Sequence, residues 1–261
     1  MKLYYSGFFA QERYGVLDYM KNILCAFPEM KKNKLDRLPY LKASYSIFLD
    51  SWGFSIRNNG LKLNVNDYLS FVKESWHYFD VIATMDTSFK DETLKNQSIL
   101  ETSWRKILPV YHWSDLKSWD KQLLEDYCKN YDYIGLWWVA GSKLNKQQKE
   151  YYLWYCFSIA MKYKTKIHGF WITSIPELIR YPFYSVDSTS WLSRWKFNNT
   201  ISFKNWKQKR YNISQSRETF GVDYAKVAYG DKIIRYLEEF TKIEKYVEEL
   251  HEAKKMNYWD L

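Results

Sequence analysis

The chain of 261 residues is 46% hydrophobic, so it is long enough and apolar enough for one barrel-sized domain with a substantial core. Its 39 Lys and Arg residues outnumber its 30 Asp and Glu residues, and the net charge of +9 favours a polyanionic partner, although lysine-rich composition alone gives the same excess. Three widely spaced cysteines argue against a disulfide framework, and the lack of a signal peptide or membrane-spanning stretch predicts a soluble cytoplasmic protein without a membrane partner.

Short β-rich segments alternate with helical patterns along the chain. The predicted strands are Lys2–Ser6, Ser46–Asp50, Asp80–Asp86, Ile107–His112, Tyr131–Leu136, Lys164–Gly169, Phe183–Asp187 and, with a weaker pattern, Thr200–Phe203. The predicted helices are Tyr14–Phe27, Val65–Tyr78 with Asn66 as its N-cap, Thr93–Lys106, Asp115–Asn130, Asn145–Lys162, Ile175–Arg180 and Asp231–Lys255. This alternation predicts an α/β fold, a (β/α)8 TIM barrel in a single domain over residues 1–261, with a doubly wound open sheet as the alternative.

The C-terminal region, residues 194–261, is predicted to pack on the barrel. The helix over 231–255 is amphipathic, and its apolar face consists of Ile233, Ile234, Leu237, Phe240, Ile243, Val247 and Leu250. Binding of a partner is the alternative role for this face. The stretch Asn205–Arg217 is polar and is predicted to be a loop.

Basic residues interleave with aromatic residues in the segment that follows Trp191. This pattern suits phosphate contact combined with base stacking, and a solvated, lysine-rich connection is the alternative. The residues expected to bind nucleic acid are Arg194, Lys196, Lys204, Lys207, Lys209 and Arg210.

Polar residues stand at the ends of several predicted strands. They are Asp50, Asp86, His112, His168 and Asp187. Each alone is more often a cap or turn residue, but active sites of parallel-sheet proteins lie at the carboxyl ends of strands, so together they indicate a site. Two aspartates there can divide nucleophilic and acid/base work at a sugar carbon.

Several other chemistries lose support because their motifs are missing. The chain has no G-x-S-x-G elbow, no Walker A loop, no G-x-G-x-x-G and no His/Glu set with metal-ligand spacing. We therefore expect neither a cofactor nor a metal.

The order of motifs provides a family resemblance. The segment Leu49-Asp50-Ser51-x-Gly53-Phe54 resembles the Asp-Ser-Gly-Gly-Phe motif of the tRNA-guanine transglycosylase superfamily. Five later motifs resemble, in order, those of its small phage members, the DNA 7-deazaguanine transglycosylase-like proteins. These are Thr84-Met85-Asp86, Pro109-Val110-Tyr111-His112, Tyr133-Ile134-Gly135-Leu136, Lys166-Ile167-His168-Gly169 and Ser185-Val186-Asp187-Ser188-Thr189-Ser190-Trp191. The resemblance extends from about Ser46 to Trp191.

The resemblance implies a TIM barrel that exchanges guanine for a 7-deazaguanine in a nucleic acid, with DNA preferred to tRNA and with no redox cofactor or ATP. It implies Asp187 as the nucleophile, Asp50 as the general acid/base and Asp86 as a reader of the base edge. The backbone of residues 135–139 is expected to line the base pocket. The expected substrate-binding residues are Asp86, His112, Ser51, Gly53, Phe54, Gly135, Trp137, Trp138, His168 and Ser188.

Tryptophans stand where the family pattern has small residues. Trp52 replaces the second glycine of the first motif, Trp137 and Trp138 replace a glycine pair, and Trp171 replaces a small residue. These indoles either stack on bases, narrow the pocket, change the substrate or serve as ordinary packing. Two alternative functions stay open: an N-glycosidic-bond hydrolase with the same aspartates, and a non-catalytic barrel that binds nucleic acid or a modified nucleotide.

Overall fold

The computed structural model describes residues 1–30, 35–52, 63–87, 89–103, 105–112, 120–137, 145–172, 174–193, 200–204, 207–220 and 226–254. Within these ranges, eight parallel strands form one sheet with the order β4-β3-β2-β1-β8-β7-β6-β5. The strands are β1 (Lys2–Ser6), β2 (Asn22–Ala26), β3 (Ser46–Asp50), β4 (Val81–Ile82), β5 (Val110–His112), β6 (Tyr133–Trp137), β7 (Lys166–Phe170) and β8 (Ser185–Ser188).

The two edges of this sheet meet just beyond β4 and just before β5. Ala83 and Leu108 form a parallel bridge. The Leu108 N–H donates to the Ile82 carbonyl at 2.7 Å, and the Thr84 N–H donates to the Leu108 carbonyl at 2.9 Å. The sheet therefore curls into the predicted α/β (β/α)8 TIM barrel, and the doubly wound alternative is wrong.

Helices alternate with the strands. They are α1 (Phe27–Met30), α2 (Leu38–Ser44), α3 (Val65–Ser75), α4 (Lys90–Glu101), α5 (Lys121–Asn130), α6 (Lys146–Tyr163), α7 (Ile175–Arg180), α8 (Ser190–Ser193), α9 (Ile213–Phe220) and α10 (Tyr229–Ala253). Shorter 3-10 helices cover Phe8–Tyr14, Val16–Tyr19, Leu35–Arg37 and Trp76–Tyr78. Antiparallel strands β9 (Thr200–Lys204) and β10 (Lys207–Tyr211) form a separate hairpin.

The main error of the sequence prediction lies between Tyr14 and Phe27. The predicted helix there is wrong, because two 3-10 helices meet at Gly15, whose φ is 69°, and β2 follows them. Every residue of β2 is buried, so the strand lacks the period-two alternation that marks a half-exposed strand. The weakly predicted strand Thr200–Phe203 exists but pairs with β10 outside the barrel, so β2 supplies the missing barrel strand.

Three smaller predictions also need correction. The cap of α3 is Asn64, whose side chain accepts the Asn66 N–H at 2.8 Å, so Asn66 is not the N-cap. Lys164 has a φ of 58° and ends α6, so β7 begins two residues later than predicted. The loop predicted over 205–217 contains β10 and the start of α9 in its described part.

Alternation along the strands divides the apolar residues into two cores. The inner core fills the barrel and contains Tyr4, Leu24, Phe48, Ala83, Leu108, Val110 and Phe170. The outer core, which includes Leu3, Tyr5, Ile23 and Ile47, is continuous with the helices. Because side chains alternate, residues two positions from an inner-core residue also face the interior. This places Asp50 and His112 on the inner face, while Asp187 is in register with Tyr4.

The C-terminal helix α10 packs on the barrel through the predicted face. Its residues Ile233, Leu237, Phe240, Ile243 and Val247 are buried in the outer core. At the start of β1, the Leu3 N–H donates to Glu244 Oε1 at 2.9 Å, and burial raises the pKa of Glu244. No helix in the described ranges is both long enough and apolar enough to cross a membrane.

We predict that Gly135→Ala destabilises the protein by about 1–3 kcal/mol, measured by urea unfolding. A Cβ at this position of β6 would lie 2.6 Å from Cε2 of Phe170 in the barrel interior. Phe170→Leu removes that ring atom, so the double variant is expected to lose less stability than the two single losses added together. Strict additivity would contradict the proposed contact.

Candidate active site

The barrel interior brings together the predicted aspartates. Asp50 ends β3, Asp187 lies in β8, and Asp86 follows β4. The negative charges of Asp86 and Asp187 both act on Asp50, which shows that the three carboxyl groups share one site. Asp86 and Asp187 are buried, and Asp50 is partly buried.

Two nitrogen atoms lie close to one carboxylate oxygen of Asp187. The backbone N–H of Trp171, just beyond β7, donates to Asp187 Oδ1 at 2.8 Å. Nε2 of His168 lies 3.6 Å from the same oxygen, which is longer than a hydrogen bond. The contact of His168 with Asp187 is therefore electrostatic in this structure, while Trp171 provides the hydrogen bond.

His168 lies in the middle of β7 rather than at its end, and its side chain is completely buried. Its ring centroid is 4.5 Å from that of Phe48 and 4.4 Å from that of Phe170. Burial lowers the pKa of His168, although Asp187 acts in the opposite direction. The ring is therefore held neutral between aromatic side chains, and it does not line an open pocket.

Asp50 has a strongly perturbed carboxyl group. Burial, followed by the charges of Asp86 and Asp187, raises its pKa from 3.8 to about 8. The backbone N–H groups of Ser51 and Trp52 donate to Asp50 and offset part of that rise. Asp50 is consequently protonated at neutral pH and can act as a proton donor.

Asp86 is engaged by protein groups. His112 Nε2 lies 2.9 Å from Asp86 Oδ2, and the Ser51 hydroxyl donates to Asp86 Oδ1 at 3.4 Å. The imidazole of His112 is stacked on the indole of Trp137, with centroids 5.3 Å apart and planes at 18°. The structure thus joins four of the predicted residues, Asp86, Ser51, His112 and Trp137, into one cluster.

Besides the buried His168, two predicted substrate-binding residues lie elsewhere or are covered. Phe170 occupies the space in front of Gly135, so an open approach of a base to this glycine is not seen. Ser188 is in register with Tyr5, whose side chain belongs to the outer core, so alternation places Ser188 away from the barrel interior. Gly53, Phe54 and Trp138 lie outside the described residues.

The predicted nucleic-acid-binding residues concentrate in the β9–β10 hairpin. Lys207 pairs with Lys204, Lys209 with Ser202, and Arg210 with Ile201; Lys209 is exposed. The hairpin is fixed to α10, since the ring of Phe203 packs at a tilt of 46° against that of Tyr246, with centroids 5.3 Å apart, and the Phe203 N–H donates to Glu239. Arg194 and Lys196 lie outside the described residues.

Two of the unusual tryptophans have a backbone conformation that favours glycine. Trp52 has a φ of 64° and Trp171 a φ of 62°, both in the left-handed region. Glycine adopts this region without steric cost, whereas a side chain costs roughly 1 kcal/mol or more there. The small residues that the family pattern has at these positions match the conformation of this backbone.

Sequence reasoning missed two interior residues that contact His168 directly or through a neighbour. Ser185 Oγ lies 2.6 Å from His168 Nδ1, and Tyr133 Oη lies 2.5 Å from Ser185 Oγ. The available signal was alternation, because Ser185 is two residues before Asp187 and therefore shares its face.

No model of a known protein family matches the chain, and no curated protein matches it. Within the described part of the chain, no three or more His, Cys, Asp or Glu side chains form a group that could hold a metal ion. That the site uses neither a metal nor a cofactor stays a prediction.

We predict that Asp50→Asn stabilises the protein above pH 8 and leaves its stability unchanged near pH 4. The pKa of Asp50 is about 8 in the folded protein and takes its ordinary value of 3.8 in the unfolded chain. Between pH 3.8 and pH 8, Asp50 is therefore protonated in the folded protein and ionised in the unfolded chain. Stability of the wild type therefore falls as pH rises through that range, by on the order of a few kcal/mol, and asparagine removes this dependence.

The measurement is urea unfolding of both proteins from pH 4 to pH 9. Asp132→Asn, at an exposed carboxylate paired with Lys106, serves as the control and is expected to show no gain at pH 9. Parallel pH profiles for the wild type and Asp50→Asn would contradict the raised pKa.

Proposed function

We propose that this protein is a base-exchange enzyme that replaces guanine in DNA with a 7-deazaguanine derivative through a glycosyl-aspartate intermediate. The observation that carries the proposal is that one interior holds Asp50, whose pKa is raised by burial, and a buried Asp187 whose Oδ1 accepts a backbone N–H. A proton donor and a nucleophile in one interior are the two groups that substitution at an anomeric carbon requires.

In the first half-reaction, a carboxylate oxygen of Asp187 attacks C1′ of the nucleotide. The C1′–N9 bond breaks, its electron pair goes to the guanine ring, and Asp50 donates a proton to the departing base. This step leaves a deoxyribosyl ester on Asp187 and an ionised Asp50. The raised pKa of Asp50 suits it to this role, because the group carries a proton at neutral pH.

The second half-reaction reverses the roles. The ionised Asp50 takes the N9 proton of the incoming 7-deazaguanine, N9 attacks C1′, and the ester bond to Asp187 breaks. The site returns to its starting protonation state, so exchange needs no oxidant, reductant or nucleotide triphosphate. If water instead of a base attacked C1′, the same two aspartates would perform hydrolysis.

The cluster of Asp86, His112 and Trp137 supports recognition of a flat polar ring. An indole stacked on an imidazole offers aromatic surface, and a carboxylate accepts hydrogen bonds from the amino and imino groups of a guanine edge. We propose that the base displaces His112 or Ser51 from one oxygen of Asp86 when it binds.

The net charge of +9 and the basic β9–β10 hairpin support a nucleic acid as the partner. The motif order described above is what favours DNA over tRNA. Cys25, Cys128 and Cys156 form no disulfide with one another, which fits a reducing compartment, and we propose that the activity is cytoplasmic.

The proposal predicts a covalent protein–DNA adduct that depends on Asp187. Wild type, Asp187→Asn, Asp50→Asn and the control Asp132→Asn are incubated with guanine-containing DNA and a 7-deazaguanine base. Intact-protein mass spectrometry detects the adduct, and nucleoside analysis of the same DNA detects exchange.

We expect adduct and exchange with the wild type and Asp132→Asn and neither with Asp187→Asn. Asp50→Asn is expected to lose at least about 100-fold in turnover with a smaller change in DNA affinity, since it removes the proton donor. Exchange by Asp187→Asn at the wild-type rate would refute the mechanism. Abasic sites with free guanine would identify a hydrolase, and DNA retention without either product would identify a binding protein.

We also predict salt-dependent DNA binding through the hairpin. Affinity is expected to fall as salt rises, because phosphate contacts release counterions, and Lys209→Glu is expected to weaken binding and reduce the salt slope by about one. Lys106→Glu makes the same charge change at a side chain that is 90% exposed and lies between α4 and β5, outside the hairpin. Equal effects of the two substitutions would place the DNA surface elsewhere.

A further inference from the structure

A chain of polar contacts runs through the barrel interior from Tyr133 to Asp187. Tyr133 Oη lies 2.5 Å from Ser185 Oγ, and Ser185 Oγ lies 2.6 Å from His168 Nδ1. The other ring nitrogen, Nε2, faces Asp187 Oδ1 at 3.6 Å. These residues come from the three adjacent strands β6, β7 and β8, so the sheet itself fixes their spacing.

The hydrogen atoms of these contacts can be assigned in two ways, which differ in which group donates and which accepts. In one, Tyr133 donates to Ser185, Ser185 donates to His168 Nδ1, and the proton of the neutral imidazole resides on Nε2, facing Asp187. In the other, Nδ1 donates to Ser185, and the lone pair of Nε2 faces the carboxylate. The second direction sets two electron-rich atoms against each other in a buried site, so the first is favoured.

The imidazole is also fixed in place. Its ring contacts the rings of Phe48 and Phe170, and the ring of Tyr4 meets it edge-on at 6.2 Å between centroids. Burial lowers the pKa of His168, so the ring is neutral and one tautomer must be chosen. The hydroxyl of Ser185 determines the tautomer. Since Ser185 accepts a hydrogen bond from Tyr133, it can donate its own proton to Nδ1, and the proton of the ring then lies on Nε2.

We propose that Tyr133, Ser185 and His168 are positioning residues that hold Asp187 for attack. This inference rests on the proposed function, in which Asp187 is the nucleophile. The Nε2–H of His168 and the N–H of Trp171 both point at Oδ1 of Asp187. Together they restrict rotation of the carboxylate and leave Oδ2 as the oxygen that attacks. The 3.6 Å contact is expected to shorten when substrate is bound, as catalytic hydrogen bonds often do.

The first test is the tautomer of His168 in the wild-type protein. Long-range proton–nitrogen NMR of the histidine rings shows which nitrogen carries the proton, and His168→Gln identifies the signal among the four histidines of the chain. We expect a neutral ring protonated at Nε2 at pH 8. A ring protonated at Nδ1 would overturn the proposal whether or not the protein exchanges bases.

The second test compares two serines of the barrel, each bonded to a tyrosine: Ser185 is buried and Ser46 is half-buried. Ser185 bonds to Tyr133 and to His168, whereas Ser46 bonds to Tyr4 at 3.2 Å in the same barrel. Ser185→Ala is expected to slow single-turnover formation of the DNA adduct by about tenfold, the value of one hydrogen bond, while Ser46→Ala changes it by less than about twofold. Ser185→Thr keeps a hydroxyl and is expected to recover most of the rate.

The outcomes separate this inference from the proposed function. Equal rates for Ser185→Ala and wild type would overturn the positioning role while leaving base exchange intact. Equal losses in Ser185→Ala and Ser46→Ala would show a packing effect and would also overturn it. Absence of an adduct with the wild type would refute the proposed function, and the tautomer measurement would still decide the direction of the chain.

Discussion

Repulsion among three carboxyl groups in one barrel interior governs the arrangement of the site. The charges of Asp86 and Asp187 both act on Asp50 in this interior, and the three carboxyl groups have different neighbours. Asp187 accepts a backbone N–H from Trp171, and Asp86 has the imidazole of His112 and the hydroxyl of Ser51. Asp50 keeps its proton. Because their surroundings differ, three chemically identical side chains differ in their hydrogen-bond partners and in their affinity for a proton.

These carboxyl groups meet only because the sheet closes. The bridge between Ala83 and Leu108 joins the two edge strands, so that β3, β4 and β8 surround one interior. Alternation then divides the work of each strand: one face builds the core under the helices, and the other supplies the inner core and the polar residues above it. The ring of Phe170 occupies the space in front of Gly135, which shows how tightly that interior is filled.

The barrel and its polar strand ends could be predicted from the sequence, because β3, β8 and α7 have clear local patterns. Strand β2 could not, since a strand buried on both faces has no period of two and its apolar run also suits a helix. The three aspartates were found because acids after β-rich segments stand out. Ser185 and Tyr133 were missed because a serine and a tyrosine in a strand are ordinary, and only the register of β6, β7 and β8 gives them a common neighbour.

The left-handed backbone at Trp52 and Trp171 has a consequence for how the side chains of this site can change by mutation. One codon for glycine, GGG, differs from the tryptophan codon TGG by a single nucleotide. Because both positions already have a conformation that glycine prefers, exchange between the two residues needs no rearrangement of the chain. A single point mutation can therefore change the size of the side chain two residues after Asp50, or at the residue whose N–H bonds Asp187, while the backbone that holds both carboxyl groups keeps its conformation.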